Sequence, residues 1–411
     1  MGDRIAVPLD LDDFDVLAAD VVDGELVVEV ESTFPRACFH CGSIDVTGHG
    51  RATRRLRDRS CGYPTVLVWR QRRFRCRDCG RTSRERHREV AGRRRLTNRF
   101  LRHLGAEACS QPWVDVAARE RVTWWRVAAA FEVLAASIDS ADPAAARVIS
   151  LDESAFRRRF RYHTVVSDPE GHRVLDLVEG RDQAAAETAL SRLPQQWRHH
   201  VETVVCDMHW PYRKAAARVL PQARLVIDKF HVLRSIDNAA QRVRKRHGRR
   251  PLVRGRDGGI SRQHNPRFDP RVYRSRWIFA KRLHQLNDDE KTVLDIVFAQ
   301  HPQIGVAWWM KEAFAAIYQA HDRTEAERRL EVWIHNLQAA GLPELTDTWR
   351  SMVRWREPIL AYFDDRQTNA YAEGITNKIK VLKRRGYGYR NPDRYRSRVL
   401  LACGNQAIWC G

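Results

Sequence analysis

Two kinds of residue in this 411-residue chain can do chemistry by type and spacing: paired cysteines near its start, and acids that close apolar runs further on. Cys38-Phe39-His40-Cys41-Gly42 and Cys76-Arg77-Asp78-Cys79-Gly80 are two Cys-x-x-Cys knuckles. Four thiolates form the tetrahedral set that closes a structural zinc site. The glycine after each pair permits the tight turn that brings backbone amides up to sulfur. The pattern predicts one structural Zn2+ on Cys38, Cys41, Cys76 and Cys79, with the strand-like stretch 65–74 as the body of a zinc ribbon. The gap between the knuckles is about twice the usual ribbon spacing. Cys61 has no partner at knuckle distance, and His40 and His49 read as surface residues.

The acids come later. Val204-Val205-Cys206 stops at Asp207, the run 224–227 stops at Asp228, and Arg147-Val148-Ile149-Ser150-Leu151 stops at Asp152-Glu153. Short apolar runs alternating with Ala-rich helical segments read as buried strands. An acid at the carboxyl end of such a strand lies where open α/β sheets hold their ligands. Strands at 162–167 and 172–178, joined by the turn 168–171, precede a helix at 183–193 that leads back to Asp207. The order is three strands, helix, strand, helix, strand, a mixed sheet with acids on its first and fourth strands. Glu153 points to the opposite face of its strand, so Asp152 is preferred. Near the end, 368–385 reads as a helix with Glu373, Asn377, Lys380 and Arg384 along one face and Ile375, Ile379 and Leu382 along another. One acid leading a row of cations suits a grip on phosphate beside a metal; alone, the row equally describes a solvated basic helix.

The composition says what these residues act on. A net charge of +21 and a pI near 10.1 point to a polyanion, nucleic acid first. At 43% hydrophobic the chain is globular. It has no apolar run long enough to span a membrane and no secretory leader, which predicts a cytoplasmic, nucleoid-associated protein whose cysteines bind metal. Residues 1–90 read as the β-rich ribbon domain, with a hairpin turn at Asp23-Gly24 and arginines at 51, 54, 55, 57, 70, 72, 73 and 75 for phosphate contact. Residues 91–138 are helical, and 113–127 has a helix-turn-helix rhythm. Its second helix would enter the major groove with Thr123, as cap, and Trp124 and Arg126 near DNA. The motif lacks a turn glycine, which leaves an ordinary αα-hairpin as the alternative. Residues 139–146 are a linker, 147–234 the first part of a core, and 235–362 a helical insertion with an exposed basic loop at 245–276. Trp277, Trp308, Trp309, Trp333, Trp349 and Trp355 read as core, with base stacking the alternative for one or two. Residues 363–411 supply the late helix and tail.

Local sequences sharpen the reading. Ser150-Leu151-Asp152-Glu153, Cys206-Asp207-Met208, Asp228-Lys229-Phe230-His231-Val232, and Asn369 with Glu373-Gly374-Ile375 and Asn377-Lys378-Ile379-Lys380 resemble the ISL-three-type transposases of bacterial insertion sequences. So does the following Lys383-Arg384-Arg385-Gly386-Tyr387-Gly388-Tyr389-Arg390-Asn391. The resemblance covers nearly the whole chain; only 405–411 follow no family pattern. It implies a multidomain α/β protein: zinc ribbon, all-α helix-turn-helix, and a ribonuclease-H-like mixed-sheet core carrying the insertion. It also implies a DDE triad of Asp152, Asp207 and Glu373 holding two Mg2+ or Mn2+, with Asp152 bridging both. The implied activity is binding of terminal inverted repeats, cleavage of double-stranded DNA and strand transfer, by a homo-oligomer. Lys380 and Arg384 would steady phosphates. Asp228 and His231 match the pattern and read as structural, a strand-end acid and a helix-start histidine, with a direct catalytic role as the alternative. The rival readings are a ribonuclease-H-like nuclease without strand joining and an inactive DNA-binding regulator using residues 1–137.

Overall fold

The computed structural model describes residues 11–90, 95–138, 145–157, 161–248 and 266–404, with the backbone of Leu252–Arg254 and Ile260–Arg262 between them. The chain divides into two units, Met1–Pro143 with Val381–Gly411, and Ala144–Lys380.

In the first unit, strands β1 (Phe14–Val22) and β2 (Glu25–Ser32) form an antiparallel hairpin. Asp23 and Gly24 both take positive φ, 51° and 71°, as a two-residue turn matched to strand twist requires. β2 alternates strictly. Leu26, Val28 and Val30 are buried, while Glu25, Glu29 and Glu31 face out and pair with Arg57, Arg70 and Arg51. Strands β3 (Val46–Cys61), β4 (Tyr63–Cys76) and β5 (Thr82–Arg84) complete a sheet ordered β1-β2-β4-β3, with β5 on β4.

Three helices follow: α1 (Asn98–Ser110), α2 (Trp113–Arg119) and α3 (Trp124–Ala135). Thr97 caps α1 by accepting from Phe100 N at 3.2 Å, and its hydroxyl donates to buried Asp58 of β3 at 2.6 Å. Gly105 lets α1 and α3 approach: a Cβ there would lie 2.9 Å from Ala130 O. A terminal helix in this unit, Pro392–Cys403, adds Leu401 to the same core. Its buried Arg398 donates to the carbonyls of Cys109 and Gln111.

The second unit is built on strands β6 (Val148–Arg157), β7 (Arg161–Asp168), β8 (Arg173–Glu179), β9 (Thr203–Cys206) and β10 (Arg224–Ile227). Their order is β10-β9-β6-β7-β8. β6–β7–β8 is an antiparallel meander, and β9 and β10 run parallel to β6. The parallel strands are buried on both faces, which is why they read as unbroken apolar runs. Helices α4 (Gln183–Ser191), α5 (Gln195–His200) and α6 (Trp210–Val219) make the crossovers, and Asp182 caps α4 through Ala185 N.

Helix α7 (Lys229–Gly248) leaves β10 and opens a helical region that runs to Asp365. The stretch 245–276, expected as one exposed loop, is instead the end of α7, a short antiparallel strand pair and the helix Pro270–Arg274. The tryptophans also divide. Trp308, Trp333 and Trp355 are buried and Trp349 packs at the core's edge, but Trp277 and Trp309 are 71% and 51% exposed. Lys311 is buried among Phe279, Lys281 and Glu312, donating to the first two carbonyls. Burial lowers its pKa to about 8. No helix among the described residues is long and apolar enough to cross a membrane. The linker 139–146 and the tail 405–411 lie largely or wholly outside the described residues.

Candidate active site and metal centre

Strand register assembles the acids. Leu151 of β6 pairs with Cys206 of β9, and Cys206 pairs with Ile227 of β10. The next residue on each of these three parallel strands is an aspartate: Asp152, Asp207 and Asp228. Adjacent strands lie about 4.8 Å apart, so the three carboxylates form a row across one end of the sheet. Asp152 continues within β6, whereas Asp207 and Asp228 end their strands.

His231, in the first turn of α7, closes on this row. Its Nδ1 lies 2.9 Å from Asp228 Oδ2 and 2.8 Å from Asp207 Oδ1. Asp207 first and Asp228 second raise its pKa to about 10. Ligand atoms of Asp207, Asp228 and His231 lie within 4.8 Å of one another. Asp228 and His231, read from sequence as structural, thus stand in contact with Asp207.

Glu373 comes from a helix spanning Ala370–Arg385. Two contacts hold its start against the acid row. The backbone N–H of Asn369 donates to Asp228 Oδ1 at 3.2 Å, and the Thr376 hydroxyl donates to Asp152 Oδ2 at 2.7 Å. Residues 369, 373 and 376 recur at helical spacing, so Glu373 shares a helix face with the two anchors; it is exposed, and neither it nor Asp152 is among the ligand atoms that converge at Asp207, Asp228 and His231. Ile375, Ile379 and Leu382 are buried as expected. Further along, Lys380 Nζ donates to Asn377 Oδ1 at 3.4 Å, and Arg384 is exposed.

Asp152 is the most perturbed acid of the row. Burial raises its pKa to about 6; the Thr376 hydroxyl opposes this and the charge of Asp207 adds to it. Its Oδ1 accepts from Glu153 N at 2.7 Å. Asn369 Oδ1 is buried without a hydrogen-bond partner. Carboxylate and amide oxygens in excess of donors are the ligand set of a hard divalent cation. Thr376 drew no functional expectation from the sequence, although it falls three residues after Glu373, where a helix places a neighbour on the same face.

The four cysteines converge. Cys38 and Cys79 sulfurs are 3.7 Å apart, Cys41 and Cys76 3.6 Å, and all four lie within 4.8 Å. A tetrahedron with Zn–S arms of about 2.3 Å has edges of about 3.8 Å. Backbone amides reach sulfur in both knuckles, His40 N to Cys38 and Cys79 N to Cys76. The His40 amide, then that of Cys41, lowers the Cys38 thiol to about 7. Gly42 and Gly80 take φ of 78° and 68°. Cys61 is exposed and outside the cluster, as expected.

At α2–α3 the missing turn glycine has a substitute. Arg121 takes the left-handed conformation, φ 49°, and donates to Asp23 O at 3.3 Å. Glu120 beside it is buried, bound by His103, Arg119 and Ser60. Thr123 has the extended backbone of an N-cap, but its hydroxyl makes no capping bond, contrary to expectation. Trp124 packs on Trp113 at 5.3 Å between centroids and is half-buried, as is Arg126. The outward residue is Trp125, 76% exposed, which sequence reasoning passed over.

Comparison with known proteins gives a consistent set of matches. A family model described as transposase, of the ISL-three DDE type, matches residues 149–399. A transposase for insertion sequence element IS1001 from Bordetella parapertussis is 26% identical over 373 residues, covering 89% of this chain and 88% of that protein. A transposase for insertion sequence element IS1557 from Mycobacterium tuberculosis (strain ATCC 25618 / H37Rv) is 24% identical over 265 residues, 62% of this chain and 60% of that protein.

Proposed function

Because the chain belongs to the ISL-three-type family of transposases, we propose that it binds the terminal inverted repeats of an insertion sequence and cuts and joins double-stranded DNA with Asp152, Asp207 and Glu373. The observation that carries this reading is the in-register row of aspartates with the Glu373 helix anchored to it at Asp152 and Asp228. The sheet, three antiparallel strands extended by two parallel ones, supports a ribonuclease-H-like core.

Asp152, Asp207 and Glu373 would hold two Mg2+ or Mn2+ ions. Such ions supply an activated oxygen nucleophile and stabilise the leaving oxygen of an in-line displacement. The protein's own groups set the stage. Thr376 orients Asp152, the Asn369 amide orients Asp228, and His231 Nδ1 bonds to Asp228 with Asp207 Oδ1 2.8 Å away. Lys380 and Arg384 neutralise flanking phosphates. The cysteine cluster holds one structural zinc in a ribbon, and α2–α3 acts as a helix-turn-helix whose second helix enters the major groove, with Trp125 and Arg126 at its amino end. The reaction takes place in the bacterial cytoplasm, in a homo-oligomer that pairs two element ends.

The test is cleavage of a labelled duplex carrying the element's own terminus, with Mg2+ or Mn2+, by wild type and Asp207→Ala. Wild type nicks at the repeat boundary. The variant loses on the order of a thousandfold or more in rate while still binding the duplex. Binding without cleavage by wild type under either metal would refute the catalytic reading.

A further inference from the structure

The first unit carries a cavity of about 1300 Å³ over β3, β4 and β5 that the catalytic reading does not use. Its lining is one-sided in charge. Arg54, Arg55, Arg84, Arg86, Arg88 and Arg95 surround it, Arg88 being paired with Asp12 and Asp13 outside the lining, and Glu85 is the one acid that lines it. Glu85 is already committed: its two carboxylate oxygens accept from the backbone and side chain of Arg72, each at 2.7 Å. Burial, then the charge of Arg84, holds the Arg54 guanidinium below its usual range. Two like charges are therefore kept close around the same space.

Three nearly buried side chains also line the cavity. Trp69, Ser83 and His87 are 1%, 8% and 4% exposed; Trp69 Nε1 and Ser83 Oγ have no hydrogen-bond partner, while the His87 ring meets the Asp12 backbone. The two unpartnered atoms are both donors. The indole nitrogen can only donate, and the hydroxyl can donate. His87 Nδ1 accepts from Glu89 N at 3.1 Å, and burial lowers the ring's pKa against the opposing Asp12 backbone. Buried donors without acceptors are costly and rare. A recess lined by such donors and by guanidiniums has the chemistry of an oxyanion site.

The ribbon's other arginines set the contrast. Arg51, Arg57 and Arg70 are neutralised by the outward glutamates of β2. Arg55, Arg84 and Arg86 make no carboxylate contact among the described residues. Only part of the arginine set is thus available to an external anion.

We propose that this cavity is a phosphate-binding site of the ribbon, occupied by a backbone phosphate of the bound duplex. It anchors DNA without reading sequence, since its donors meet phosphate oxygens. The exposed Phe39 ring at its edge is no free platform for a base, because the Arg86 guanidinium lies over it, 5.4 Å from the centroid. The choice of DNA as the phosphate's source rests on the transposase reading; the oxyanion chemistry of the cavity does not.

The experiment uses full-length, zinc-loaded protein and two duplexes, one carrying the element terminus and one unrelated, with affinity measured across a salt series. Arg54→Gln and Arg84→Gln are compared, singly and together, with Arg51→Gln and Arg70→Gln. Zinc content and thermal unfolding confirm that each variant is folded, and Arg84→Lys keeps the charge. Each cavity substitution should weaken both duplexes alike and make the salt slope shallower by about one. Arg84→Lys should keep the slope, and the glutamate-paired controls should leave it unchanged. A parallel arm measures thermal stabilisation by tripolyphosphate. If the double variant loses that stabilisation but keeps the duplex slope, the site stands and its phosphate comes from a free polyphosphate. If slope and stabilisation are both unchanged, the proposal is overturned. If wild type binds neither duplex, the DNA-binding reading fails, and the tripolyphosphate arm still decides the cavity.

Discussion

The cysteine cluster and the carboxylate row are both candidate cation sites, and they are built in opposite ways. Two sulfur pairs stand at tetrahedral edge distances, all four sulfurs lie within 4.8 Å of one another, and backbone amides point at two of them. Such a site is closed, and a metal in it contributes folding energy outright. The acids instead meet the protein's own donors: a hydroxyl on Asp152, an amide on Asp228, and the His231 ring on Asp228 beside Asp207. Glu373 stays exposed. A site of that kind keeps its shape without metal and leaves positions open for substrate. The first arrangement suits a fold element, and the second suits a pre-arranged reaction site whose supporting groups tune it.

The comparison breaks first at the cysteines. Cys76→Ser should drop bound zinc from one equivalent per chain to none and unfold the knuckle end of the β3–β5 sheet. Apparent zinc binding is worth about 10 kcal/mol or more in small zinc domains. Metal analysis with thermal unfolding checks it, while Mn2+ binding in the second unit should persist. A variant that lost zinc yet melted like wild type would show that the cluster is not a fold element. The acid row should respond differently. Thr376→Val removes one hydroxyl at nearly constant volume and should raise the Mg2+ concentration for half-maximal cleavage by about 10–100-fold. Duplex affinity and melting should stay unchanged, and Thr376→Ser should restore the requirement. An unaltered Mg2+ requirement would mean that the helix does not position Asp152.

Much of the fold and of both centres is legible in the sequence, because the signals are local. Cys-x-x-Cys-Gly is a complete turn with two ligands, and apolar runs ending in acid mark β6, β9 and β10 by residue type alone. The register of those strands is not legible. Nothing local states that Leu151, Cys206 and Ile227 pair, yet that pairing puts Asp228 in the row and His231 against Asp207. The Thr376 contact is hidden for the same reason, since it joins residues 224 positions apart. At the helix pair the sequence misleads in detail. Trp124 and Trp125 are adjacent and chemically identical, and only packing against Trp113 decides which one turns in. Arg121 escapes notice as the turn residue because a left-handed conformation is common for glycine and uncommon for arginine.

The smallest effect concerns protons, and it refines the difference between the two centres. Asp152 is raised to about 6, chiefly by burial. Below that pH its carboxyl is protonated, and the proton must leave before a divalent cation can bind. The Mg2+ or Mn2+ requirement should therefore fall as pH rises from 5 to about 6, by up to tenfold per unit for one displaced proton, and then level off. Thr376 donates to the carboxylate and so opposes the rise. In Thr376→Val the levelling point should move to higher pH, by less than one unit. In Thr376→Ser it should stay in place. Metal titrations of duplex nicking between pH 5 and 8 measure both. A requirement that is flat with pH in wild type would mean that Asp152 is already ionised at pH 5, and that burial at the end of the sheet costs it little. A break that moved downward in the valine variant would mean that the hydroxyl accepts from a protonated Asp152 rather than donating to its carboxylate.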